Sequence, residues 1–230
     1  DTCAIYVNDI FANYTEYSGP TLILGMVFFA FQIYGDFSGY SDIAIGTGRL
    51  FGIRLMTNFQ TPYFAKSIPE FWNRWHISLN TWMNDYVFFP LAFTFRRHGK
   101  MGVAGAVMLT FLISGFWHGA DWKFIVWGGI HGLAFLPAII GLSGPLRLFR
   151  AHEAAVASQR FFPTLKDIRG MLIVFSVNLF ALVFFRADSL GDAVDYLGRM
   201  GTNVISWPEG NKLAGLASII VLLTIEGLNH

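Results

Sequence analysis

Three neighbourhoods, two of them bearing a histidine, carry the residue types that could do chemistry in this chain. The first is GFWHGADW, Gly115–Trp122, where His118 closes a sixteen-residue run without Asp, Glu, Lys or Arg. Gly115 and Gly119 flank it and Trp117 stands beside it. The glycines remove side-chain bulk next to the imidazole, as a site admitting an acyl chain or an acceptor hydroxyl would require. Neutral imidazole is suited to taking a hydroxyl proton near neutral pH. The chemistry alone reads His118 equally as such a base or as a buried helix-end histidine bonded to a backbone carbonyl. The second neighbourhood is Ser67–Asp85, SIPEFWNRWHISLNTWMND, with His76 among tryptophans. There a satisfied surface histidine is the plainer reading. The third is the Tyr34–Gly52 cluster, YGDFSGYSDIAIGTGRLFG, which sets Asp36, Ser38, Tyr40, Ser41 and Asp42 directly after an apolar run. Ionisable groups at membrane depth are costly, so they are functional candidates by default.

Rival chemistries lack their signatures. There is no Gly-x-Ser-x-Gly nucleophile elbow and no His-Glu-x-x-His pair. The glycines at 46, 48 and 52 do not form a dinucleotide fingerprint. His76, His118 and His131 have no metal-ligand spacing with Asp36 or Asp42, so no metal is expected. On a single helix, His118 and His131 would point about 220° apart. Cys3 is the only cysteine, which rules out an internal disulfide.

The elements that must carry these residues belong in a bilayer. Of 230 residues, 54% are hydrophobic and 13% charged, against about 25% charged in soluble domains. Mean hydropathy is +0.48. A net charge of +1 gives no nucleic-acid footprint. Uncharged stretches at Thr21–Tyr34, Gly102–Trp117, Phe124–Leu146, Met171–Phe185 and Leu213–Ile225 are the candidate spans. Only Phe124–Leu146 reaches the roughly 20 residues a full crossing takes. Short, glycine-broken segments point to a compact polytopic bundle, with Gly35-xxx-Gly39 and Gly48-xxx-Gly52 spaced for close helix approach.

Ser67–Asp85 reads as one amphipathic interfacial helix. Ser67 and Glu70 stand in capping-box spacing, Pro69 in the first turn, and Phe71, Trp75 and Trp82 on a tryptophan-rich face. Arg96, Arg97 and Lys100 precede one central span. Arg147, Arg150, Arg160, Lys166 and Arg169 follow the next, so a hairpin of the two would put both basic loops on the cytoplasmic side. The acidic stretch Asp188–Glu209 would lie outside. The polar Arg147–Arg169 segment reads as a loop within one membrane domain covering residues 1–230. The opening DTCAIYVNDIFANY reads as a helix caught mid-protein, so a fragment is expected.

Four strings together resemble the membrane-bound O-acyltransferase family, in its alginate O-acetyltransferase branch. They are FQIYGDFSGYSDIAIGTGRLFGI (Phe31–Ile53), NFQTPYFAKSIPEFWNRWHISLNTWMNDYVFFPL (Asn58–Leu91), GFWHGADWKFIVWGGIHG (Gly115–Gly132) and FFRADSLGDAVDYLGRM (Phe184–Met200). The chain departs from the pattern at Asn84-Asp85-Tyr86, where the family commonly has Arg-Asp-Tyr. Tyr86–Phe95 also lacks the glycine-rich loop often seen next.

The resemblance implies an all-α polytopic membrane helix bundle with a buried tunnel, with interfacial helices and short or re-entrant segments, and with the family's N-terminal helices missing. It implies transfer of an acyl group to a hydroxyl. His118, in the Trp-His-Gly motif, would be the essential residue, and His76, in the Arg-Trp-His-Ile-Ser motif, would line the same site. Trp117, Asp36, Tyr40, Trp75 and Asn80 are the expected substrate contacts. No cofactor is expected to be bound, and acetyl-CoA or another acyl donor would be a co-substrate. Expected partners are membrane lipid, a polysaccharide acceptor such as alginate and an extracytoplasmic acetyl-transfer protein, in a multi-pass protein of the bacterial inner membrane. Transfer of D-alanyl or fatty-acyl groups, and a non-enzymatic export subunit, are the alternatives.

Overall fold

A computed structural model describes residues 2–141, 163–201 and 215–228. Among these every regular element is a helix, which bears out the all-α membrane bundle. Four helices are long and apolar enough to cross a membrane: Gly19–Leu50, Arg96–His118, Trp122–Gly141 and Leu165–Arg186. The chain divides into two compact units, one of residues 1–44 and 178–230, the other of residues 45–177.

In the first unit, helices α1 (Thr2–Ala12) and α2 (Gly19–Leu50) meet α9 (Leu190–Met200). The Tyr196 hydroxyl donates to the Leu22 carbonyl at 2.7 Å, and the Tyr196 ring stacks on Phe11 at 4.6 Å. A β-carbon on Gly25 would lie 2.8 Å from that hydroxyl, so only glycine admits the contact. Ser189 caps α9 by accepting from the Asp192 N–H. Residues 202–214, with part of the expected acidic stretch, lie outside the described residues.

The uncharged run Thr21–Tyr34 is only the first half of α2, which continues through the Asp36–Asp42 cluster to 32 residues. At 1.5 Å per residue it is about 48 Å long, well beyond the hydrocarbon thickness of about 30 Å. It ends in a Schellman turn. Gly52 has φ 73°, the Ile53 N–H returns to the Gly48 carbonyl at 2.9 Å, and the Gly52 N–H to Arg49 at 3.1 Å. The close-approach reading of Gly35 and Gly39 is not realised among the described residues, because β-carbons there would meet nothing within 4 Å.

The second unit is organised by a helical hairpin of α6 (Gly99–His118) and α7 (Trp122–Gly141). The expected span Phe124–Leu146 is α7 as far as Gly141, and its remainder lies outside the described residues, as does most of the basic Arg147–Arg169 segment. Lys166 and Arg169 lie in the first turns of α8 (Leu165–Arg186). Thr164 and Asp167 cap that helix reciprocally: the Thr164 N–H donates to the Asp167 carboxylate at 2.9 Å, and the Asp167 N–H to the Thr164 hydroxyl at 3.2 Å. Asp167 also pairs with Lys66 at 3.4 Å, beside Gly170, where a β-carbon would meet the Lys66 carbonyl at 2.6 Å.

The helix expected over Ser67–Asp85 is broken. Its capping box forms, with Ser67 accepting from the Glu70 N–H and Glu70 accepting from the Lys66 N–H at 2.8 Å. However, the first helix, α3 (Ile68–Arg74), stops there, and α4 (Ile77–Met83) starts only after His76, whose backbone is left-handed at φ 45°, ψ 55°. A π-helical turn, Asn84–Phe88, then leads into α5 (Phe89–Thr94). Periodicity could not show this break, because aromatic residues continue on both sides of it while the deciding hydrogen bonds come from a distant loop.

Glycines set the α6–α7 spacing. A β-carbon on Gly115 would collide with the Phe124 carbonyl, one on Gly128 with the Phe111 carbonyl, and one on Gly132 with the Met108 sulfur at 2.8 Å. Gly115 is therefore small for the neighbouring backbone, correcting the expectation that it clears room beside His118 for a substrate. Gly129, one residue along, would meet only Leu112, at 3.8 Å. Gly128→Ala should therefore destabilise the protein by about 1–3 kcal/mol, the usual cost of overpacking. Gly129→Ala should be neutral or stabilising, since alanine favours a helix over glycine by about 1 kcal/mol. Thermal unfolding of the two variants in the same detergent checks the contrast.

Candidate active site

The break at His76 is held by the loop before α3. The Asn58 carbonyl accepts the Ile77 N–H at 3.0 Å, and the Arg74 carbonyl accepts the Gln60 N–H at 3.0 Å. Asn58 Oδ1 receives the Ser78 N–H at 3.1 Å and the Ser78 hydroxyl at 2.9 Å, and lies 3.2 Å from His76 Nδ1. Arg74 pairs with Glu70 at 2.8 Å and donates to the Thr61 hydroxyl at 3.2 Å, tying the end of α3 to the same loop. A left-handed non-glycine residue costs on the order of 1–3 kcal/mol. Several hydrogen bonds worth about 0.5–1.5 kcal/mol each can offset it.

The turn sets His76 on the wall of a cavity of about 190 Å³. Leu79, Met83, Phe88, Val107, Phe111 and Phe135 form much of its apolar lining, and Asn73, Asn80, Asn84, Thr110 and Ser114 add polar groups. Asn80 is fixed by donating Nδ2–H to the Trp72 carbonyl at 2.6 Å. The π turn puts both Asn84 and Phe88 on this wall, and such turns recur at functional sites. Burial pushes the pKa of His76 below its ordinary value, so the imidazole is neutral near pH 7.

His118 ends α6, four residues beyond Ser114, and is not among the residues that line the cavity. Its ring lies edge-on to Trp127 of α7 at 5.0 Å and to Trp117 at 4.8 Å. His76 and His118 are close enough to interact electrostatically. Trp127 in turn meets Trp72 at 5.9 Å and His131 at 5.0 Å. His131 is 1% exposed, and Trp72, Phe111 and Trp127 all contact its ring. Among the described residues neither His131 Nδ1 nor Trp72 Nε1 has a hydrogen-bond partner. Two helices and one shared tryptophan bring His118 and His131 together, which no single-helix geometry would do.

The structure thus gathers His76, His118 and Asn80, with Trp117 against His118. Trp75 turns elsewhere, stacked on Phe71 at 5.7 Å and edge-on to Phe59 at 5.1 Å. Asp36 and Tyr40 belong to the other unit, where Tyr40 is 69% exposed. Asn58, Ser78, Asn84, Thr110 and Ser114 were missed by the sequence reading. Asn58 stands in a family-like string, but no spacing rule links it to a histidine eighteen residues on. Among the described residues no cluster of three or more His, Cys, Asp or Glu could hold a metal ion.

The chain is 42% identical over 179 residues to a peptidoglycan O-acetyltransferase of Helicobacter pylori, covering 77% of the chain and 31% of that protein. It is 38% identical over 200 residues to a probable alginate O-acetylase AlgI of Pseudomonas putida, covering 87% and 37%. It is 35% identical over 122 residues to a teichoic acid D-alanyltransferase of Streptococcus thermophilus, covering 51% and 29%. It therefore spans about a third of the length of these relatives. Residues 5–150, which include every residue of the cavity and both of its neighbouring histidines, match the membrane-bound O-acyltransferase family, and the chain belongs to that family.

Proposed function

We propose that this segment carries the transfer site of a multi-pass enzyme that moves acetyl from a cytoplasmic donor toward hydroxyls of an exported polysaccharide in the bacterial inner membrane. The observation that carries the reading is the neutral His76 on the wall of a largely apolar cavity, within electrostatic range of His118. A largely apolar lining disfavours water beside an activated acyl group. Two imidazoles can hold and move a proton near neutral pH.

In this reading His118 takes the proton of the reacting hydroxyl, while His76 accepts from a neighbouring hydroxyl of the acceptor and so orients it. The reacting oxygen attacks the acyl carbonyl carbon, and the new ester C–O bond forms. With a thioester donor such as acetyl-CoA, the C–S bond breaks and the thiolate leaves with the proton returned by His118. Asn80 and Ser114, both on the cavity wall, are the groups available to hydrogen-bond the acyl oxygen. The similarity to acetyltransferases of peptidoglycan and alginate supports a carbohydrate acceptor. Passage of acetyl to an extracytoplasmic partner protein is compatible with the same step. The similarity to D-alanyltransferases supports a second reading, with D-alanyl in place of acetyl. Mass spectrometry of the envelope polymers with and without the gene separates the two by the ester lost.

General-base help is worth about 10²–10⁴ in rate, so His118→Ala in the whole gene product should abolish acetyl transfer while membrane levels stay normal. Wild-type acetylation in that variant would exclude the assignment. Glutamine keeps a hydrogen-bonding amide but cannot act as a base. His76→Gln should accordingly cost less activity than His118→Gln, measured as polymer-bound acetyl in one strain background. An equal or larger loss at His76 would reverse the two roles.

A further inference from the structure

We infer that Asn58 is a positioning residue that holds His76 in the Nδ1–H tautomer, leaving Nε2 as the atom that accepts from a hydroxyl of the acceptor neighbouring the reacting one. The role in transfer rests on the acyl-transfer reading, whereas the tautomer does not.

The argument starts from a donor whose identity is fixed by the backbone. The Ser78 main-chain N–H can only donate, and it lies 3.1 Å from one terminal atom of the Asn58 amide. That atom must therefore be the oxygen. The same oxygen lies 3.2 Å from His76 Nδ1. An amide oxygen can only accept, so Nδ1 must carry the hydrogen. The Ser78 hydroxyl, 2.9 Å from the Asn58 oxygen and 3.4 Å from Nδ1, supports the same polarity, since it donates to the oxygen and can accept from the ring. The Asn58 carbonyl is itself fixed by the Ile77 N–H at 3.0 Å, so the amide is anchored to the left-handed turn it orients. With Nδ1–H committed to the loop, Nε2 keeps its lone pair on a residue that lines the cavity.

Asn58 is uncharged, so it orients the imidazole without placing a full charge beside it. Burial then holds the His76 pKa low and keeps the ring unprotonated. His118 of α6 lies within electrostatic range of it on another helix. Arg74 and Glu70, on the preceding helix, are paired with each other at 2.8 Å. An aspartate at 58 would keep the accepting oxygen but add a negative charge beside Nδ1–H, and an opposite charge at that range raises a histidine pKa by about 1–3 units. A leucine would remove the acceptor.

The test uses the whole gene product in lipid bilayers with 13C,15N-labelled histidine, the His76 signals being assigned by their loss in His76→Gln. Wild type should show a protonated Nδ1 and a bare Nε2 at neutral pH, and Asn58→Leu should show a mixture of tautomers. Asn58→Leu should lower kcat by about 10–100-fold, the range for partners that orient a metal-bound imidazole, with KM little changed. Asn58→Asp should recover most of the activity at high pH and move the acid limb of the kcat/KM profile upward by about 1–3 units. It keeps the oxygen that receives the Ser78 N–H, so it remains informative if leucine disrupts the loop. A protonated Nε2 in wild type, or an unmoved acid limb in Asn58→Asp, would overturn the inference. The expected tautomers with undiminished transfer in Asn58→Leu would leave the lock standing and overturn the role of His76 in acyl transfer.

Discussion

The backbone-to-backbone contact of α6 with α7 is the constraint on which the rest of this site depends. Small residues let helices approach closely in a bilayer, where apolar surface alone gives little drive for association because lipid tails are as apolar as leucine. Gly115, Gly128 and Gly132 supply that approach through contacts with Phe124, Phe111 and Met108. The spacing then decides which aromatic rings meet. Trp127 of α7 can touch His118, and Phe111 of α6 can touch His131, only because the two helix axes are that near. A wider hairpin would cost the fully buried His131 its contact with Phe111.

The left-handed turn at His76 is the second device, and its energetics run opposite to the first. Glycine contacts gain by removing atoms, whereas the turn keeps a bulky residue in a backbone region that favours glycine. Its cost is met locally by the hydrogen bonds from Asn58, Gln60 and Ser78. What it achieves is geometric. A continuous helix would carry residue 76 along the same spiral as Phe71 and Trp75, whereas the break lets α4 leave in a new direction, with His76 on the cavity wall and Trp75 packed among Phe59, Tyr63 and Phe71. Strain at a site of proposed chemistry, supported from outside the strained element, is the pattern expected where geometry matters more than local stability.

The cavity combines both devices. One wall comes from α3, α4 and the π turn and the other from α6 and α7, with Val107 and Phe88 shared with the packed core that also holds Ala106 and Ile139. A site built into the packing of a hairpin is pre-shaped, so little ordering is left for binding to accomplish.

The sequence by itself determined the solvent and the chemistry. Low charge and long uncharged runs require a bilayer, and in a bilayer helices satisfy their own backbone groups. Within that frame, Ser67 and Glu70 could be read as a cap, because capping is a contact between near neighbours. His118 and His76 could be singled out because their motifs are local strings. Tertiary structure decided what depends on residues far apart in the chain. It alone assigned Gly115 to helix contact instead of substrate clearance, broke the helix at His76 through a loop eighteen residues upstream, and turned Trp75 away from the cavity. It also gave Asn58 its partners. Hydrophobic periodicity records which face of an element is apolar, but not which distant carbonyl or amide that face will meet, and here those distant groups set the geometry of the site.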